Sequence, residues 1–193
     1  LALGYNGEGG SRLHFGENEA ELVASMLGGA AWAGPEPKVA RLYQQAQGYR
    51  VLHFSCHGLF DAASPFESAL LLAPGERLTA LDVLNNLRLR CDLVALSACE
   101  SGLSRVRRGD ELLGLVRAFL FAGAPALVCS LWRVDERAAC LLMEQLYAEL
   151  RRGAPAPAAL QRAQLGLMRL TRGQARERLI HIAASGLLAE HPA

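Results

Sequence analysis

The segment VLHFSCHGLF, residues 51–60, is an apolar run that closes on a histidine followed by a glycine. A second histidine lies four positions before the first, and a cysteine lies directly beside it. The apolar content reads as a buried strand over Val51–Ser55. Side chains alternate along a strand, so His53, Ser55 and His57 share one side and Cys56 points to the other. At about 3.3 Å per residue the two histidines stand about 13 Å apart, too far for one metal ion whose bonds to nitrogen are about 2 Å long. No metal site is therefore assigned here, and His53, deep in the strand, is expected to be a hydrogen-bonded core residue. His57 stands where the strand opens into GLFDAASP. Gly58 lets the backbone approach a ligand closely and aim its N–H at it.

Outward from this strand, helix and strand patterns alternate. ENEAELVASMLGG places Leu22, Val23, Met26 and Leu27 on one helical face stopped by Gly28 and Gly29. PKVARLYQQAQG gives a second helix, with Pro37 near its start and Gly48 at its end. ESALLLAPGERL reads as a hairpin turning at Pro74–Gly75, and Thr79 with Asp82 has capping-box spacing ahead of a short helix. CDLVALSAC is a second buried strand, GDELLGLVRAFLFAG a helix closed by Gly123, and PALVCSLW a third strand. Asp135 is placed to cap a long helix that runs to about Arg152 and stops at Gly153. A further helix covers roughly Ala158–Arg172, and the pattern from Gly173 onward is ambiguous.

This alternation predicts an α/β fold, a three-layer αβα sandwich around a mostly parallel sheet. In such sheets chemistry gathers at the carboxyl edge of the strands. Cys99 ends its strand as His57 ends the earlier one, and neighbouring strands lie about 4.8 Å apart. A thiol nucleophile needs a base to take its proton or an imidazolium to stabilise the thiolate, and an adjacent histidine does either. The separation of 42 positions between the two leaves room for the hairpin and one crossover helix.

Composition sets the outer bounds. At 193 residues the chain suits one domain with a real core, and 51% hydrophobic against 20% charged residues excludes general disorder. The net charge of +1 argues for neither nucleic acid nor a membrane surface as a general partner. Five cysteines, Cys56, Cys91, Cys99, Cys129 and Cys140, form no C-x-x-C pair and read as thiols in a reducing, cytoplasmic compartment. No run of about 18 apolar residues suits a membrane span, and the start has no signal-peptide pattern. A chain that opens at Leu1 directly into the strand-like LALGYN reads as part of something larger.

VLHFSCHG, DLVALSACESG, GDELLGLVRAFLFAGAPALVCSLWRV and LLMEQLYAELRRGAPAPAALQRAQLGL together resemble the CHAT domain. That family belongs to the caspase-like (clan CD) cysteine peptidases, alongside caspases and separase. The resemblance covers about residues 1–170, and SACESG is a looser relative of the caspase signature Q-A-C-[RQG]-G, which has its histidine about 50 residues upstream. It implies residues 1–173 as the CHAT domain, truncated at its start, with 174–193 a helical or irregular tail of the same domain. The family's first strand and helix and its closing strand are expected to be missing.

The resemblance further implies that His57 is the catalytic histidine and Cys99 the nucleophile of a cysteine endopeptidase. The backbone N–H groups of Gly58 and Cys99 would form the oxyanion hole. No third catalytic residue and no cofactor are implied. Ser97, two before the nucleophile, lines the first substrate pocket in several relatives. SLWRVDER looks like a separase segment whose aspartate receives a basic side chain, which makes Asp135 the matching candidate and favours arginine or lysine at the cleavage position. Asp135 also reads as a helix N-cap, and the two roles can coexist. Trp132 walls the pocket or belongs to the core. Arg105, Arg107 and Arg108 form a basic loop after the nucleophile, a site of self-cleavage if the pocket takes arginine. Asp110 and Glu111 read as helix N-terminal charges.

By the same resemblance the expected partners are a protein or peptide substrate and TPR-like repeats in the parent chain, a bacterial regulatory protein. No nucleic acid or membrane partner is expected. Two alternatives stand beside the peptidase: a catalytically silent interaction module on the same fold, and another thiol hydrolase.

Overall fold

The computed structural model describes residues 1–9, 12–61, 63–100 and 113–189, with only the backbone given for 99, 100, 113 and 185–189. The strands are β1 (Ala2–Gly4), β2 (Ala31–Ala33), β3 (Val51–Leu59), β4 (Ala69–Ala73), β5 (Glu76–Thr79), β6 (Leu93–Glu100) and β7 (Leu127–Cys129). The helices are α1 (Gly16–Leu27), α2 (Val39–Gln45), α3 (Ala80–Asn86), α4 (Leu113–Phe121), α5 (Glu136–Arg151), α6 (Ala156–Arg169) and α7 (Arg172–Ala189). Pairings β1–β2, β1–β3, β3–β6 and β6–β7 are parallel, whereas β3–β4 and β4–β5 are antiparallel. Helices cover both faces of this mostly parallel sheet, as the alternating pattern predicts.

Strand alternation sorts the core into two layers. Leu52, Phe54 and Cys56 of β3 pack with Val94, Leu96 and Ala98 of β6 against Val83 of α3 and Leu115 and Phe119 of α4. The opposite face sets Leu93 and Ala95 of β6 against Ala20 and Val23 of α1, Leu146 and Tyr147 of α5, and Ala159 of α6. His53, Ser55 and His57 belong by parity to this second face.

Local signals explain most element ends. Thr79 accepts from the Asp82 N–H while the Asp82 carboxylate accepts from the Thr79 N–H, a closed capping box at the start of α3. Asp135 Oδ1 accepts from the N–H groups of Arg137 and Ala138 at 3.0 and 3.1 Å, which starts α5. Gly28, at φ 62°, ends α1.

Three boundaries depart from the sequence reading. The strand expected to stop at Ser55 continues to Leu59. Its reason is tertiary: β1 pairs His53–Ser55 along one edge, and where β1 stops the β4–β5 hairpin supplies antiparallel partners for His57–Leu59 along the same edge. PALVCSLW contributes only three strand residues, Leu127–Cys129. The ambiguous end is helical, with α7 bearing on α1 and α5 through Ile182 and the Arg178–Glu144 ion pair at 3.3 Å.

Candidate active site

Parallel pairing of β3 with β6 runs unbroken from Val51↔Leu93 to Gly58↔Glu100, and within it His57 and Cys99 are direct Cα partners. Nothing in the sequence links the two segments locally; the central ladder brings them to one level. Position 99 also belongs to the alternate set that holds Leu93, Ala95 and Ser97. Ser97 is half-buried and pairs with Ser55, two positions below His57 and Cys99.

His57 is 4% exposed. Its cover comes from the turn between β1 and α1. Gly7 sits at φ 79°, and a methyl group added there would lie 2.6 Å from Cδ2 and 2.7 Å from Nε2 of the His57 ring. The turn is tied down on several sides. Tyr5 N–H donates to Ser55 O at 3.0 Å, and Leu13 N–H donates to Asn6 O at 2.7 Å. Asn6 N–H donates to Glu17 Oε1 at 3.2 Å while Glu17 N–H donates to Asn6 Oδ1 at 3.1 Å. This reciprocal pair both caps the first turn of α1 and holds the backbone of residues 6–7 over the imidazole. None of it entered the sequence reading. The signal available was the dipeptide Asn6–Gly7, a turn former that takes positive φ.

Gly58 lies between two strands, opposite Leu70 of β4 and Glu100 of β6. A Cβ there would meet the Phe60 ring at 2.7 Å, so the ring packs directly on the glycine backbone. His53 is a core residue. Its Nε2 lies 3.0 Å from Glu19 Oε1 and its Nδ1 3.0 Å from the Tyr147 hydroxyl, all three buried between β3, α1 and α5. The tautomer sets the roles: where Nε2 donates to Glu19, Nδ1 accepts the Tyr147 proton. Burial and the neighbouring Glu19 push the Tyr147 phenol well above its ordinary range.

Cys129 pairs with Leu96, so the chain leaves β7 three positions below the level of Cys99. Beyond it Trp132 is 72% exposed rather than a core residue. Asp135 holds its capping role with one oxygen, Oδ1. Arg105, Arg107, Arg108, Asp110 and Glu111 lie outside the described residues. The remaining thiols are free and unsuited to nucleophilic work: burial pushes Cys56 up to about 12 and raises Cys91, Cys129 and Cys140 as well.

A profile of the CHAT domain matches residues 9–192. The chain belongs to the CHAT domain family. That family is caspase-like, of clan CD, and the mostly parallel sheet between helical layers agrees with it. Tetratricopeptide repeat protein 28 from mouse is 39% identical over 105 residues, and so is its human counterpart; each match covers 53% of this chain. The chain spans only 4% of the length of these curated relatives. Among the described residues no helix of this CHAT domain is long and apolar enough to cross a membrane.

Proposed function

We propose that this CHAT domain is a cysteine endopeptidase that hydrolyses peptide bonds through a His57–Cys99 dyad. The observation that carries the reading is the Cα pairing of His57 with Cys99 at the centre of the sheet. The Cys99 thiolate attacks the peptide carbonyl, and the backbone N–H groups of Gly58 and Cys99 receive the developing oxyanion. His57 protonates the departing amine, which leaves a thioester on Cys99, and water releases the carboxyl product. Ser97, Trp132 and Asp135 border the substrate, with Asp135 favouring a basic side chain at the cleavage position. The domain acts within a longer protein that carries tetratricopeptide-like repeats, in the cytoplasm, where thiols stay reduced.

One observation favours a second reading, a catalytically silent interaction module: His57 is 4% exposed beneath Gly7. A panel of fluorogenic peptides varied at the cleavage position separates the two, run on this chain and on its parent protein. Turnover that disappears in Cys99→Ala and in His57→Ala supports the peptidase. Peptide binding by the parent protein with no turnover from either form excludes it.

A further inference from the structure

α7 lies across α1 and α5 and leaves a groove of about 730 Å³ against the segment His14–Phe15. Its floor is apolar: Phe15, Ala175, Leu179, Ile180 and Ala183. Ile180 is 60% exposed, an unusual setting for an aliphatic side chain that has a helix face to bury. The rim has one sign of charge. Arg137, Arg172 and Arg176 line the groove, and among the described residues no aspartate or glutamate does. None of the three arginines enters an ion pair among the described residues, whereas Arg178, two residues beyond Arg176 on another face of α7, pairs with Glu144. Glu136, beside Arg137 in sequence, has its Oε1 taken by the backbone N–H groups of His14 and Phe15, and Glu177, beside Arg176, does not line the groove.

We infer that this groove docks an amphipathic helix whose apolar face carries flanking carboxylates. Three features select that occupant. Arg172 and Arg176 are one helical turn apart on α7, so they match carboxylates spaced i and i+4 on a helix laid alongside. Ala175 and Ala183 flank Leu179 at the same spacing, and small residues there let a second helix approach closely. The groove residues span Arg172 to Ala183, about 16 Å along the axis, which fits three turns of a partner helix. A guanidinium fork takes a carboxylate in two parallel hydrogen bonds, so the rim sets both partner charge and register. An anionic lipid surface would share the charge but has no counterpart to the i, i+4 register of Arg172 and Arg176. Neither His57 nor Cys99 lines this groove, and the inference does not depend on catalysis.

The test uses the full chain and labelled synthetic peptides of about 18 residues with leucines at i, i+3, i+4 and i+7 spacing. One peptide carries flanking glutamates and its twin carries lysines. Fluorescence anisotropy is expected to show binding of the glutamate peptide only, weakening with added salt. Arg172→Glu with Arg176→Glu should weaken it about tenfold or more and transfer preference to the lysine peptide. Ile180→Asp should also weaken binding of the glutamate peptide. All three sites are exposed or at the rim, and circular dichroism verifies the fold of each variant. Equal binding of the two peptides, insensitivity to the arginine reversal, or binding to phosphatidylserine vesicles in place of the glutamate peptide overturns the inference.

Discussion

Replacing Gly7 with alanine tests whether the β1–α1 turn sets the position of His57. Two costs separate cleanly. The first is backbone: alanine at φ 79° is disfavoured by about 1–2 kcal/mol relative to glycine. The second is contact: the added methyl would stand 2.6 Å from Cδ2, roughly 0.8 Å short of ordinary van der Waals separation. In its closed position the turn is held by Asn6, bonded to Glu17 and Leu13, so the closed state admits the methyl only by displacing the ring. The imidazole must therefore move by most of that distance. A misplacement near 1 Å of a reacting group costs on the order of 10²-fold in rate. Gly9 supplies the control, since it also has positive φ, 70°, with nothing within 4 Å of an added Cβ. Both variants should lose stability by the backbone cost in urea titrations, Gly7→Ala somewhat more because of the added contact, while Gly7→Ala alone should lose peptide turnover and shift the ring resonances of His57 in histidine-selective NMR. The ring shift reads the geometry even if no peptide is cleaved. Equal effects of Gly7→Ala and Gly9→Ala on both readouts would refute the reasoning.

Other outcomes follow from the same coordinates. With Cys56 held up to about 12, its thiolate fraction at pH 8 is about 10⁻⁴, so iodoacetamide should label Cys99 first. The His57 effect should appear as a labelling rate that stays flat below pH 8 and falls in His57→Ala; mass spectrometry showing equal labelling of all five thiols would count against a poised pair. In the buried triad, Glu19→Ala should cost about 3–5 kcal/mol and Tyr147→Phe about 1–3 kcal/mol. Their double variant should cost less than the sum, and strict additivity in urea melts would mean that His53 does not couple them. Asp135→Asn preserves the helix cap but removes the charge, whereas Asp135→Ala also removes the cap at about 1 kcal/mol. Loss of preference for basic cleavage sites in both, with destabilisation only in the second, is the expected pattern, and unchanged preference in Asp135→Asn removes Asp135 from recognition.

What the sequence discloses and what it hides divide along range. Thr79 with Asp82, Asp135 before Arg137, and Gly28 after Leu27 are readable because each cap works within a few residues of itself. His53 was legible as a core residue, yet its partners were not: Glu19 and Tyr147 lie 34 and 94 residues away, and no spacing rule connects them. The length of β3 failed for the same reason. Phe54–Gly58 looks like a strand running out into a loop until β4 returns along the edge that β1 vacates. For Trp132 the sequence admits pocket or core, and its exposure rules out the core. The turn at Gly7 was visible as Asn-Gly but carried no sign of what it covers.

The longer β3 changes how the candidate dyad is held. Had the strand ended at Ser55, His57 would sit on a loop whose position depends on side-chain packing. Instead His57 and Gly58 are paired on both edges, with Leu71 and Leu70 of β4 and with Cys99 and Glu100 of β6. A residue fixed by two ladders has little freedom along the strand, which holds the His57 Cα level with that of Cys99. The cost is access, since a sheet that fixes the backbone cannot open to admit a substrate. Among the described elements around His57, the turn at residues 6–9 is bound by side-chain and single backbone hydrogen bonds rather than by a ladder. Local opening takes place where fewest cooperative bonds must break. Movement of that turn, and not of the sheet, is therefore the step that would uncover the imidazole, and weakening its Asn6–Glu17 clasp should raise solvent exchange at His57 while leaving the β3–β6 amides protected.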